Sequence, residues 1–372
     1  MDLGLFLPNA SRGFMISTTS PDYQPSFDKV FKVVAQAEAA GLDFCLSMAK
    51  LHGFGGPSGY WDSCLDSFTL IAGLLARTER IKLFATATIL VMPPAIAARA
   101  AATMDSIAPG RFGINIVTGW QKAEYDTMDM WPGEAHFQRR YDYAAEYVKI
   151  MKELWANGRT SFDGEFFHMR DCEVFPLPSA KIELVCAGQS DPGMRFACAQ
   201  TDHIFLAMMG VNNPQSVKVP IARLNENAAA VGRAAGCLPL MMVCTDESRE
   251  AAYARWAHYS AGTDYQALAY ASGQASMDKA AAVSEKSSAH QLVVSAEERN
   301  IDPATFTNTA CMGMGVLVGS YADVAALLDE AASIPGVSGL MVALADWEND
   351  TEKFCKHVEP LMKSRAGRRH VA

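Results

Sequence analysis

Arg111-Phe112-Gly113-Ile114-Asn115-Ile116-Val117-Thr118-Gly119-Trp120-Gln121-Lys122-Ala123-Glu124-Tyr125 is the stretch on which the reading of this chain turns. Its first half has the make-up of a buried strand: Phe112, Ile114, Ile116 and Val117 are aromatic or β-branched, and Pro109-Gly110 ends the helix before it. Asn115 interrupts that apolar run. An amide buried there must find partners or cost on the order of 1–3 kcal/mol. Thr118-Gly119-Trp120 then breaks the strand, with the acid Glu124 close behind. Polar groups gathered where a strand ends are how α/β enzymes build their sites. Asn115 could equally bond a neighbouring strand, so the rest of the chain has to decide.

Outward from that strand, short apolar runs alternate with amphipathic ones. Leu3–Phe6, Asp43–Ser47, Ile81–Thr86, the Asn115 run, Lys181–Cys186, Ile204–Leu206, Leu240–Cys244 and Gly339–Leu344 read as eight strands. Helices are expected between them: one capped by Ser26, then about 65–78, 95–107, 137–155 and 216–231, with a last one from about Thr351. Thr160 to Phe175 carries a hairpin signal with Asp163-Gly164 as its turn. Such alternation implies parallel strands joined by crossovers. Eight units in 372 residues fit a (β/α)8 barrel, in one domain spanning 1–372. A doubly wound sheet would want a phosphate loop directly after the first strand, and Leu7-Pro8-Asn9 offers none. Gly53-Phe-Gly-Gly-Pro-Ser-Gly59 imitates a dinucleotide loop, but no strand runs into it and Pro57 spoils the helix start. Residues 262–312 fit the alternation poorly and read as an inserted helical excursion, a lid or an oligomer contact.

Composition narrows the function classes. Half of the residues are hydrophobic and a fifth charged, as in a soluble globular protein with a large core. A net charge of −9 argues against a nucleic-acid or anionic-membrane surface, and no apolar run approaches a membrane span. The basic run from Lys363 to His370 reads as a solvated tail. Nine scattered cysteines in apolar contexts point to buried thiols and a cytoplasmic setting.

The strand ends carry Asn9, Ser47, Lys50, Thr86, Thr88, Asn115, Thr118, Gln189 and Ser190. They supply hydrogen bonds but no nucleophile–base order, no close carboxylate pair and no metal spacing. A polar site of that kind implies a cofactor that carries the chemistry. Ser190 stands where a strand enters a Pro-containing helix, whose N-terminus attracts phosphate. Arg139-Arg140-Tyr141 could supply a guanidinium fork, although an arginine there could equally decorate an exposed helix face. One phosphate and one flat ring held by amides suit FMN.

These residues resemble a known family. Leu46-Ser-Met-Ala-Lys-Leu-His-Gly-Phe-Gly-Gly56, Ala85-Thr-Ala-Thr88, Gly113 to Lys122, Arg139-Arg-Tyr-Asp-Tyr143 and Cys186-Ala-Gly-Gln-Ser190 are similar to the luciferase-like flavin monooxygenases. Within these they are most similar to the pyrimidine monooxygenases, which open the uracil ring. The resemblance covers residues 1 to about 250 and resumes over Gly313–Leu344. It implies a TIM barrel that takes reduced FMN from a separate NADH-dependent flavin reductase and activates O2 as a flavin peroxide. It further implies cleavage of the N3–C4 amide bond of uracil or thymine, giving ureidoacrylate or its peracid. Carried over by position, the FMN contacts fall on Ala49, Lys50, Asn115, Glu124, Arg140, Tyr141 and Ser190. Thr86 and Asn115 fall where oxygen and substrate are oriented. The chain departs from the family at Ala49, where a bulkier aliphatic residue is expected, and in the Met-rich run Phe205–Gly210, expected to line the substrate side. The same machinery could therefore serve another N-heterocycle, a sulfone or sulfonate, or a haloaromatic, and some luciferase relatives bind flavin without catalysis. A homo-oligomer is also expected.

Overall fold

The computed structural model describes residues 1–277 and 307–367. Its centre is a closed parallel barrel of eight strands: β1 (Asp2–Leu7), β2 (Phe44–Ser47), β3 (Lys82–Thr88), β4 (Phe112–Val117), β7 (Glu183–Cys186), β8 (His203–Ala207), β9 (Gly236–Asp246) and β11 (Gly339–Leu344), which pairs back onto β1. The strands close because both of their faces are covered. All six residues of β11 are buried, and so are nine of the eleven in β9. A parallel sheet with helices outside and side chains inside requires such continuous apolar runs. Within the barrel the fill is large against small. The Phe84 ring lies where a Cβ on Gly113 would stand, 2.2 Å from it, so only glycine fits beneath that ring.

The helices are α1 (Phe27–Ala39), α2 (Ser67–Leu75), α3 (Pro94–Ile107), α4 (Lys122–Asp126), α5 (His136–Asn157), α6 (Asp191–Gln200), α7 (Lys218–Val231), α8 (Arg249–Ala261), α9 (Tyr265–Ser276), α10 (Tyr321–Ala332) and α11 (Trp347–Lys353). Their starts are chemically marked. Ser26, Asp66, Ser190, Ser248, Asp264, Ser320 and Asp346 each accept a first-turn N–H, the ordinary way of satisfying a helix start. The expected hairpin is present as β5 (Arg159–Asp163) against β6 (His168–Glu173), its turn closed by Gly164 N donating to Phe167 O.

Three expectations need correcting. A ninth strand, β10 (Val316–Ser320), pairs with β9 beyond the point where β8 leaves it. The last helix starts at Trp347 rather than near Thr351, because Asp346 accepts from Asn349 N. The C-terminal basic run is not wholly solvated. Arg365 is 1% exposed, ion-pairs Glu359 at 2.9 Å and Asp43 at 2.5 Å, and donates to the Met1 and Gly41 carbonyls. As expected, Gly53–Gly59 opens no helix; it packs Ser58 against Asp264 and leads into Tyr60 and Trp61. Of the excursion expected over 262–312, α9 and the Thr309–Cys311 turn are described, and residues 278–306 lie outside the described residues.

Candidate active site

A cavity of about 320 Å³ opens at the ends of β2, β3, β4 and β7. Ala49, Lys50, Thr86, Asn115, Glu124, Arg140, Tyr141 and Ser190 all line it. Eight residues scattered over 142 positions are thus brought to one wall by strand register and loop length. The parallel register sets Thr86 beside Asn115 and Asn115 beside Val185.

The floor is a hydrogen-bond chain. Asn115 Nδ2 donates to Thr86 Oγ1 at 3.0 Å, and Thr86 Oγ1 donates to the Ser47 carbonyl at 2.6 Å. Thr86 N donates to Ser67 Oγ at 2.8 Å, and the Ser47 and Ser67 hydroxyls are themselves bonded. The Thr86 proton is therefore already committed, which leaves that hydroxyl an acceptor toward the cavity. Asn115 keeps one N–H, and its Oδ1 is buried without a partner among the described residues. An orphaned buried carbonyl oxygen calls for a donor, and a ligand N–H is what the site lacks.

One end of the cavity is cationic and tight. Arg140 is buried and stands 5.1 Å from the Tyr141 ring centroid, while Arg139 turns outward to Asp142 at 2.8 Å and Glu165 at 2.6 Å. The two arginines therefore divide, one to the site and one to the surface. Ser190 caps α6 by accepting from Gly193 N at 3.3 Å. A Cβ on Gly188 would lie 2.6 Å from Tyr141 Oη, so glycine lets this loop approach the tyrosine.

The other end is aromatic and holds a buried ion pair. Lys50 Nζ lies 3.0 Å from Glu124 Oε1, also bonds Gln121, and stands 4.2 Å from the Phe54 ring centroid and 5.5 Å from those of Trp61 and Trp120. Burial pushes the ammonium below the usual lysine range, and Glu124 offsets part of that. Glu124 also accepts from Leu51 N at 3.1 Å, tying the β2 loop to the β4 loop.

Several lining residues were not singled out from sequence. Trp120 stood within the opening stretch, and Tyr60 and Trp61 followed the glycine-rich loop. Ala271, Ala275, Cys311, Met312 and Met314 come from the poorly periodic region. The Met-rich run contributes Phe205 and Ala207 to the lining, whereas Met208 is fully buried against Gly315. Strand alternation turns it away. Burial also pushes the Cys186 thiol up to about 12, so it lines the cavity as a neutral group.

The donor set fits an FMN-like group. It offers a guanidinium, a phenol and a capped helix start at one end, and amide groups on the floor.

Residues 1–338 match the luciferase-like monooxygenase family. The chain is 48% identical over 366 residues to a pyrimidine monooxygenase RutA of Serratia proteamaculans (strain 568), covering 98% of this chain and 96% of that protein. It is 49% identical over 368 residues to one from Bradyrhizobium sp. (strain BTAi1), covering 99% of each. Among solved structures it is similar to an EDTA monooxygenase from Chelativorans sp. BNC1, with TM-score 0.80, 19% identity and coverage of 100% of this chain and 96% of that one. It is also similar to a riboflavin lyase bound to modified FMN and riboflavin, with TM-score 0.81, 20% identity and coverage of 98% and 92%. These two establish the barrel, and the curated relatives and the family match go further: the chain belongs to the luciferase-like monooxygenase family, in the group of the pyrimidine monooxygenases.

Proposed function

We propose that this enzyme uses reduced FMN and O2 to open uracil or thymine at the N3–C4 amide bond, giving ureidoacrylate or its peracid. The observation that carries the reading is a full-length identity of 45–49% to proteins named pyrimidine monooxygenase, in a chain whose eight expected site residues line one cavity. A separate NADH-dependent flavin reductase supplies the flavin, and one barrel domain, as a homo-oligomer in the cytoplasm, does the rest.

Arg140, Tyr141 and the Ser190 loop hold the phosphate, by charge and by hydrogen bonds that gain strength from the ionised partner. Asn115, the Ala49–Lys50 segment and Glu124 hold the ring. When bound, reduced FMN supplies the electrons that activate O2. The chain's own part is to position the reactants, to keep water out and to face them from the floor with groups that do not titrate. Phe6, Phe205, Ile116 and Met314 line the cavity with apolar surface that excludes water. Thr86 and Asn115 orient oxygen and substrate without titrating.

The substrate class follows from what remains unpaired on the floor. A free Asn115 N–H, its Oδ1 and a Thr86 lone pair together match the alternating donors and acceptors of a cyclic amide. An alkanesulfonate needs a free cation, and the Lys50 charge is taken up by Glu124.

The test is to supply FMN, NADH, a flavin reductase and O2, and to follow uracil, thymine and an alkanesulfonate by mass spectrometry. A ring-opened, oxygenated amide supports the reading. Turnover of the sulfonate alone overturns it.

A further inference from the structure

Helix α9 contributes two lining residues to the aromatic end of the cavity. Ala271 and Ala275, one turn apart, both line it and are 1% and 7% exposed. Residues four apart share a helix face. The helix is held by polar contacts at both of its ends. Asp264 accepts from Ser58 N at 2.8 Å and from Ser58 Oγ at 2.6 Å, and Gln274 Oε1 accepts from Ala123 N at 3.1 Å. Between them Tyr270 stacks on His52, with ring centroids 6.0 Å apart. Ala271 also belongs to a second apolar cluster with Phe54 and Tyr60, against which Trp61, Trp120 and Met312 pack. The aromatic rings are thus fixed by one another. The helix is tethered, and its two small side chains are what leave room beneath it.

We infer that Ala271 and Ala275 set the size of the ring the site admits. This rests on the reading of the cavity as a site for a planar cyclic amide. Each extra carbon on these residues takes its volume from the substrate chamber, because close-packed neighbours give way only at a cost. The phosphate end, built from Arg140, Tyr141 and Ser190, shares none of the contacts that fix α9.

The experiment compares uracil, thymine and the benzo-fused quinazoline-2,4-dione. Turnover is measured with the reductase system, and binding to the FMN-loaded protein is followed by flavin difference absorbance. Ala271→Val and Ala275→Val should shift kcat/KM away from thymine and toward uracil by roughly 10-fold or more, the scale on which one carbon is discriminated in an apolar pocket. FMN affinity should stay within a factor of about 2, since no phosphate contact changes. Ala271→Gly should move selectivity the other way. Equal losses for all three rings in folded variants would overturn the inference, as would a loss confined to FMN binding. If Ala271→Val fails to fold, Ala275→Val and Ala271→Gly carry the test. A wild-type enzyme that turns over none of the rings sinks the functional reading alone. The binding series still reports the chamber, and failure of the wild type to bind any ring overturns the size role too.

Discussion

Asn115 and Thr86 are neighbours in the parallel register of β4 and β3, and their side chains are joined by a 3.0 Å hydrogen bond. The register places the amide at that depth, and the bond fixes which way it points. Thr86 donates its own hydroxyl hydrogen bond to the Ser47 carbonyl, so the chain of bonds runs from the cavity into the barrel and ends on backbone. The floor therefore presents groups whose charge does not change with pH. Chemistry that must keep a reactive oxygen species from gaining a proton needs such a floor.

Asn115→Ala should lower product formation by roughly 10²–10³, the loss typical of one oriented donor, while the barrel stays folded. Thr86→Val should lose less, because it removes an orienting bond and leaves the amide in place. Product assays alongside thermal melts by circular dichroism check both. A collapse in melting temperature with activity within a few-fold of wild type would make Asn115 a structural residue.

Arg140→Ala should weaken FMN binding by about 1.5–3 kcal/mol, the range for a charge-assisted contact. Its effect should be specific to the phosphate. Fluorescence titration with FMN and with riboflavin should show the variant losing its preference between them. An undiminished preference would mean that Arg140 braces Tyr141 and does not meet the ligand.

Much of this site was legible because strand ends have a chemical signature. Asn115, Thr86 and Ser190 are polar residues at the ends of apolar runs, and the eight barrel strands are apolar enough to be seen. β10 was missed for a physical reason. Val316–Ser320 is five residues long and follows a glycine-rich turn, so it shows no alternation to count. The capping box of Ser320 and Asp323 behind it was a usable signal. Residue type also named Lys50 as polar and near the site. It could not show that Glu124 lies 3.0 Å away, because that pairing depends on two loops meeting. Ala271 and Ala275 carry no chemistry at all, and only their place in the fold makes them matter.

The Lys50–Glu124 pair yields a third prediction. Its side chains are 4% and 7% exposed. Removing one partner leaves the other charge buried and unmatched, which typically costs 3–5 kcal/mol. Lys50→Met and Glu124→Gln should each destabilise on that scale, and the double variant should recover part of the loss. Denaturant unfolding of the four proteins measures the coupling. Additive losses would show that the two residues act independently.

The last prediction concerns the opposite end of the barrel. Glu183 begins β7, where His203 Nε2 lies 3.5 Å from it and Lys82 also bonds it. These contacts, the His203 hydrogen bond first and then Lys82, hold its carboxyl at about 2, against 4.5 for an unperturbed glutamate. A carboxylate depressed in the folded state adds stability above its unfolded value, and that stability fades as the pH falls from about 4.5 to about 2. The Glu183 side chain is 26% exposed, so solvent screens part of the effect and its size should be modest. Glu183→Gln should therefore lower the melting temperature at pH 6 and converge with wild type near pH 2. FMN binding at neutral pH should be unchanged, because the cavity lies at the other ends of the strands. Thermal melts of both proteins across that pH range give the difference directly. A constant offset between the two curves would mean that the carboxyl contributes by packing and not by charge.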